Sequence, residues 1–166
     1  MPESDPLTIL LAHNHWATQQ ILHACAKLTT EQFHQRFEMG PGSLHNTITH
    51  MLSAMHLWTQ VLTGQTPGAR LEDDGKHRSP QELLALLETL SGDFSSEARR
   101  LPLNGVVSRT REGKTFQFTR GVVVTQVTTH GMHHRAQCLN MLKQLGVKPL
   151  PPSSVAEWSW MADAIK

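Results

Sequence analysis

The stretch that decides the fold is TRGVVVTQVTTHGMHHRAQCLNMLKQLG, residues Thr119–Gly146. Apolar side chains and two histidines recur in it at steps of three and four residues, which is the period of one helix face. We therefore predict a long helix that begins near Thr119 and ends at Gly146, with Pro149 beyond its end. The face expected to pack inward consists of Val123, Val127, His130, His134, Cys138, Met141 and Leu145.

Three earlier segments also show helical start and stop signals. The first covers Pro6–Leu28, and Asp5 precedes it as an N-cap candidate. The second covers Ser43–Gly64, with a serine N-cap and a terminal glycine. The third, Ser79–Leu101, opens with a capping-box pattern. Four long helices with short connections predict an all-α four-helix bundle, either up-and-down or with a crossover connection.

The remaining segments complete a single predicted domain, residues 1–166. Between the third and fourth predicted helices, Val106–Phe118 alternates on either side of Glu112-Gly113, which predicts a short β-hairpin. The tail contains Trp158 and Trp160, which we expect to fold back onto the bundle. A chain of 166 residues is long enough for one domain with its own core.

The composition excludes several classes of function. The formal net charge is +1 and the longest basic run is Arg99-Arg100, so we expect no nucleic-acid partner and no membrane surface. No uncharged apolar run approaches the ~20 residues that span a bilayer. Two cysteines do not form a disulfide framework, and the N-terminus lacks a signal pattern, so we expect a cytoplasmic protein. Eleven histidines beside no tyrosine remain as the unusual feature.

Helical phase separates the histidines that face the interior from the others. His130 and His134 are spaced i, i+4, so both rings leave one helix face about 6 Å apart along the axis. His133 falls on a polar stripe and is expected to face solvent, whereas His50 has mostly apolar neighbours on the second helix. Two histidines are expected on the polar side of that helix (His45 and His56), and five at the surface or in local hydrogen bonds (His13, His15, His23, His34 and His77).

The inward histidines are candidate metal ligands. Two buried imidazoles must be neutral or paired, and a shared metal ion satisfies both. Together, His50, His130 and His134 would form a site with open coordination positions, which binds substrate or activates water. The alternative is a structural role, with hydrogen-bonded rings and no metal. Cys138 is one turn beyond His134 and within possible reach of a metal, although a small buried hydrophobe is its more common role, as for Cys25.

Three segments of the chain resemble the DinB-like (DinB/YfiT) family of four-helix-bundle proteins. Leu11–Thr18 is similar to the family's Tyr-Asn-x-Trp-Ala-Asn stretch, and Gly42–Leu52 to its Gly-Ser-x-x-x-Thr-x-x-His segment. His130–Gln137 is similar to its His-x-x-x-His-Arg-x-Gln signature, the most specific of the three. The chain departs from the pattern at His13, where the family has tyrosine, and at Thr18, where it has asparagine. Both positions look structural.

The resemblance implies a function as well as a fold. The family's metal ligands fall on His50, His130 and His134, and the implied metal is a divalent ion such as zinc or nickel. The resemblance also implies a homodimer and a metal-dependent enzyme acting on a small molecule, either a thiol S-transferase or a hydrolase.

The pattern around the histidines bears on the choice between these reactions. No carboxylate lies between the two histidines of the signature, in contrast to H-E-x-x-H, and hydrolysis usually needs a general base. This difference favours activation of a thiol cosubstrate. Gln126 and Gln137 are candidates for hydrogen bonds to the ligands or the substrate, and no catalytic residue follows from the pattern. The alternative is a non-enzymatic metal-binding protein of a stress response, which a fourth ligand such as Cys138 would favour.

Overall fold

The computed structural model describes residues 5–163, and the elements are mostly helical. A two-stranded antiparallel hairpin lies between the third and fourth long helices, so the predicted fold class is confirmed. The helices are α1 (Pro6–Cys25), α2 (Thr30–His34), α3 (Leu44–Leu62), α4 (Pro80–Arg100), α5 (Arg120–Gln144) and α6 (Val155–Asp163); the strands are β1 (Val106–Arg111) and β2 (Lys114–Thr119), and a 3₁₀ turn covers Leu71–Asp74.

Side-chain caps set the starts of the long helices where the sequence predicted them. The Asp5 carboxylate accepts a hydrogen bond from the Thr8 amide at 2.9 Å. Ser43 caps α3 in the same way, and Ser79 and Glu82 form a reciprocal capping box at α4. These bonds satisfy amides that have no partner inside the helix, so the caps fix where each helix begins.

The long helices form a bundle in which chain neighbours are not always spatial neighbours. α1 packs mainly against α4 and α5, and α3 packs mainly against the same two helices. The consecutive pairs α1/α3 and α4/α5 therefore lie across the diagonals, and the bundle has crossover connections. The core between the helices is apolar, and its fully buried side chains include Ile48, Leu52, Leu87, Phe94 and Met141. Because α3 and α5 are adjacent, the histidines of both helices can meet.

A buried arginine fixes the start of α5. The Arg120 side chain is 2% exposed, and its guanidinium donates to the Leu62 carbonyl at 2.9 Å and to the Glu97 carbonyl. These carbonyls lie at the C-terminal ends of α3 and α4, where the helix dipole favours a cation. One side chain therefore ties the ends of two helices to the beginning of a third.

The C-terminal segment packs on α1. His13 Nε2 donates to the Ser153 carbonyl at 2.9 Å, and the Trp158 ring lies edge-on to His13 at 6.4 Å. His13 is 8% exposed and its bond joins distant parts of the chain, so the expectation of a surface or local role for His13 was wrong. Trp160 is 77% exposed, so the expected docking of the tail holds for Trp158 and not for Trp160. Within residues 5–163, no helix is long and apolar enough to cross a membrane.

Candidate metal centre

The structure brings His50 of α3 together with His130 and His134 of α5. The Nε2 atoms of His50 and His134 each lie 3.1 Å from Nε2 of His130. Ring nitrogens of all three residues lie within 4.8 Å of one another. Zinc–nitrogen bonds of about 2.0–2.1 Å at tetrahedral angles place two ligand nitrogens roughly 3.3 Å apart. The observed spacing therefore fits three imidazoles around one divalent ion.

The outer nitrogens of two of these rings are held by hydrogen bonds. His50 Nδ1 donates to the Glu72 carboxylate at 2.8 Å, and His134 Nδ1 donates to the Gln137 amide oxygen at 2.8 Å. Both rings thus carry their proton on Nδ1, and their Nε2 lone pairs face Nε2 of His130. A neutral His130 can donate at most one proton there, so hydrogen bonding among the rings satisfies only one lone pair. A cation at the same point satisfies all three nitrogens.

Burial keeps the centre in the form that metals bind. The pKa of His130 is lowered to about 4, first by burial and then by the neighbouring His134 and His50. Burial also lowers the pKa of His134. Neutral imidazole is the ligand form, so at neutral pH little proton competition from these two rings opposes a metal.

Glu72 is the residue of the site that sequence reasoning missed. It lies in the 3₁₀ turn Leu71–Asp74, in the long connection between α3 and α4, and Leu71 N–H donates to the Ser53 hydroxyl at 3.1 Å. Burial raises the pKa of Glu72, but hydrogen bonds from Ser53 and His50 lower it by more than burial raises it. The net pKa is below the usual value for glutamate, so the carboxyl is ionised at neutral pH. Such a carboxylate orients a ligating histidine and raises its basicity. A carboxylate therefore accompanies the histidines, although none lies within the signature.

Gln137 supports His134 from within α5. Its amide oxygen accepts from His134 and its amide nitrogen donates to His133 Nε2 at 3.2 Å, so Gln137 makes the expected hydrogen bond to a candidate ligand. The connection before α3 passes directly over this amide at Gly40, which has a φ of 49°. A Cβ atom at Gly40 would overlap the Gln137 amide, so glycine is needed for this close approach.

Gly131 and Arg135 fix the contact between α5 and α1. A Cβ atom at Gly131 would lie 2.5 Å from Asn14 Oδ1 and 2.9 Å from Arg135 Nη1. Arg135 is 4% exposed and donates to Asn14 Oδ1 at 2.6 Å. Burial lowers the pKa of Arg135 to about 10, so it remains a cation at neutral pH. The signature therefore combines two ligand candidates with the residues that set the rotation of their helix.

Two other candidate residues near the signature, His133 and Cys138, lie outside the histidine group. His133 is exposed, as its polar stripe predicted. Cys138 is fully buried, its pKa is raised by burial to about 12, and it does not belong to the histidine group, so the small-hydrophobe interpretation fits. Within the described residues, the group contains no fourth histidine, cysteine, aspartate or glutamate.

His45 corrects the helical-phase analysis. It was expected on a polar side of α3 but is 5% exposed. Its Nε2 accepts from the Arg78 amide at 3.2 Å, and its ring lies 4.5 Å from that of His34. The connection before α4 and the short helix α2 cover the first turn of α3 here. Helical phase predicts which side of a helix faces another helix, but it does not predict which side chains a connection buries.

One hollow borders the centre at His50, and a second lies one helical turn away from His130. One, of about 280 Å³, is lined by His50, Glu72, Thr49 and Lys76 among others, but by neither His130 nor His134. It therefore borders the side of His50 that Glu72 supports. The other, also about 280 Å³, lies between α3, α5 and the hairpin, and Gln126 lines it one turn before His130.

Comparison with known proteins agrees with this architecture. The DinB family model matches residues 2–161. Protein DinB of Bacillus subtilis (strain 168) is 26% identical over 157 residues, which cover 86% of this chain and 87% of that protein. A DinB-like protein from Bacillus cereus ATCC 10987 superposes with a TM-score of 0.66 at 17% identity, over 86% of this chain and 92% of its own. A second DinB-like protein, from Bacillus subtilis, superposes with a TM-score of 0.61 at 15% sequence identity, and the match covers 89% of this chain and 96% of that one. Because the family model spans nearly the whole chain, the protein belongs to the DinB family.

Proposed function

We propose that the protein is a metal-dependent enzyme whose centre is a divalent ion, zinc or nickel, held by His50, His130 and His134. The observation that carries this proposal is the convergence of three imidazoles, with Nε2 of His50 and of His134 each 3.1 Å from Nε2 of His130. The outer nitrogens of two of these rings are held by Glu72 and Gln137. Supported ligands of this kind are typical of metal sites.

An open coordination sphere supports an enzyme over a storage protein. Among the side chains that the structure describes, those of residues 5–161, three histidines form the group and no fourth histidine, cysteine or carboxylate joins them. Structural zinc sites are usually closed by four protein ligands, whereas catalytic sites keep a position for substrate or water. Bound there, a divalent ion would act as a Lewis acid that lowers the pKa of a water or thiol. Glu72 and Gln137 hold two rings in place, and burial of His130 excludes bulk water from one side.

We favour thiol transfer over hydrolysis as the reaction class. Glu72 contacts Nδ1 of His50, the nitrogen opposite to the one that faces the other histidines. It is thus an orienting carboxylate and is not placed as a base beside the reacting atoms. Hydrolysis needs such a base to take a proton from water, whereas a thiol has a lower pKa and needs less assistance. The substrate would be a small molecule, with a thiol as cosubstrate.

Metal content tests the proposal directly. Untagged wild-type protein, reconstituted with zinc or nickel and freed of excess ion, is expected to retain about one ion per chain by elemental mass spectrometry. The His130→Ala/His134→Ala variant should lose it, whereas His133→Ala, which removes an exposed neighbour, should retain it. Equal metal content in wild type and the double variant would contradict the proposal.

Two further statements accompany this function as proposals. We propose a homodimer, for which the exposed apolar side chains Leu10, Trp160 and Met161 offer a surface. We also propose a cytoplasmic location, since Cys25 and Cys138 are both unpaired thiols. Sedimentation velocity tests the first, with a monomer as the contradicting result.

A further inference from the structure

The hairpin presents an unusual face to the bundle. In its register Val107 pairs with Phe118, Arg109 with Phe116 and Arg111 with Lys114. Paired residues share one side of a two-stranded sheet. One face of the hairpin therefore carries three cations beside two aromatic rings, and four of these residues line the groove between α3 and α5.

The floor of the groove is aromatic. Trp58 of α3 lies edge-on to Phe118 at 5.5 Å between ring centroids, and Arg109 Cζ lies 5.2 Å from the centroid of the Trp58 ring. Phe116 is 47% exposed and Val122 is 51% exposed at the same groove. Large apolar side chains left in contact with solvent inside a concave site are typical of small-molecule binding.

The cations of the groove are incompletely paired. Among the described residues, no carboxylate lies within 4.0 Å of Arg109, while Arg111 pairs with Glu112 at the hairpin turn at 3.0 Å. Arg109 is also repelled by Arg111 and by Arg70, and together with burial these charges lower its pKa. An anion in the groove would relieve this repulsion and accept a charge-assisted hydrogen bond from the guanidinium.

The groove is next to the three-histidine centre. Gln126 lines the groove and is one helical turn before His130, about 6 Å along the axis of α5. Arg70, whose charge contributes to the lowered pKa of Arg109, lies 3.6 Å from the Glu72 carboxylate, and that carboxylate accepts a hydrogen bond from His50 at 2.8 Å. A ligand of moderate size in the groove therefore has one end near the histidines.

We propose that this groove binds an amphipathic organic anion, with an aromatic or flat apolar body on Trp58 and Phe116 and a carboxylate or sulfonate on Arg109. The further statement that this anion is the substrate of the three-histidine centre rests on the proposed function. The binding itself involves neither the histidines nor a metal, so the two proposals can fail separately.

The test uses a pair of ligands that differ in charge and share a shape. Metal-free full-length protein is titrated with 2-naphthoate and with neutral 2-naphthamide by isothermal calorimetry. Naphthoate is expected to bind at least about tenfold more tightly, because an ionic hydrogen bond is lost with the amide. Equal affinity for both ligands, or no binding of either, would overturn the proposal.

Variants locate the binding. Arg109→Gln and Phe116→Ala should each weaken naphthoate binding, the first by at least about tenfold. Arg99→Gln, on α4 at the opposite side of the bundle, should leave it unchanged. Arg109→Lys keeps the charge without the planar guanidinium and should bind naphthoate more tightly than Arg109→Gln, which separates loss of charge from loosening of the hairpin. Wild-type affinity in Arg109→Gln would place the ligand elsewhere.

A paramagnetic ion tests the position of the groove relative to the centre. Proton signals of naphthoate in exchange with cobalt(II)-loaded protein should broaden strongly compared with the zinc-loaded sample. Sharp signals from bound naphthoate in a cobalt-loaded protein would separate the groove from the centre. If cobalt and zinc do not bind at all, the proposed function fails, while the calorimetric result for the groove stands.

Discussion

Gly131 allows a sharp test of how α5 is positioned. On an exposed helix position, glycine to alanine is favourable by about 1 kcal/mol. At Gly131 the new methyl group would lie 2.5 Å from Asn14 Oδ1, an atom that already accepts a 2.6 Å hydrogen bond from Arg135. Asn14 cannot turn aside without leaving a buried guanidinium short of a partner, which costs about 1–3 kcal/mol or more. Displacing the packed helices costs a further 1–3 kcal/mol or so.

The net expectation for Gly131→Ala is a loss of roughly 1–5 kcal/mol in the free energy of unfolding, measured by urea titration of the metal-free protein. For a chain of this size that corresponds to a fall in Tm of about 2–20 °C. Gly92 in α4 is the matched control, because a Cβ atom there meets nothing within 4 Å. Gly92→Ala should be neutral or stabilising by up to about 1 kcal/mol. A Gly131→Ala variant as stable as Gly92→Ala would refute the reasoning.

Three further predictions concern the support of the site and of the bundle. Glu72→Ala removes the carboxylate that holds His50 and should weaken zinc binding by about 10–100-fold in a chelator competition; Glu38→Ala, at an exposed carboxylate, is the control. Because the pKa of His130 is lowered from 6.5 to about 4, the unfolded chain takes up a proton first as the pH falls. The free energy of unfolding of the metal-free protein should therefore fall as the pH decreases from 6.5 to about 4, and it should fall less in the His130→Gln variant. The same dependence of the unfolding free energy on pH in both proteins would contradict this. Arg120→Met leaves two helix-end carbonyls without their donor and should lower the free energy of unfolding by about 2–4 kcal/mol; a change below about 0.5 kcal/mol would contradict that role.

The sequence carried most of the information on the long helices and on the two histidines of α5. Periodicity identifies a buried stripe, and His130 and His134 stand on one, so their shared orientation follows from phase alone. Capping residues such as Ser43 and Ser79 then mark helix starts, because their side chains satisfy amides that nothing else can reach. The Glu112-Gly113 turn was predicted from the alternation of residues on either side of it, and in the structure both turn residues adopt positive φ values, 52° and 75°.

The parts that sequence could not predict depend on contacts made by connections. Glu72 reaches His50 from a 3₁₀ turn that has no apolar period, and its only signal was an acidic run, which is usually a solvated surface. His45 and His13 are buried by connections and by the short helices α2 and α6, and not by another long helix of the bundle. The order of helices around the bundle is likewise set by crossover connections, whose length alone does not fix their path.

X-ray absorption spectroscopy of the zinc-loaded protein would show directly whether the three histidines hold the ion. We expect about three imidazole nitrogens at roughly 2.0–2.1 Å, together with a light exchangeable ligand such as water. Addition of a small thiol should then introduce a sulfur near 2.3 Å. A sulfur shell before any thiol is added, fewer than three imidazoles, or a spectrum unchanged in the His130→Ala/His134→Ala variant would contradict an open centre formed by His50, His130 and His134.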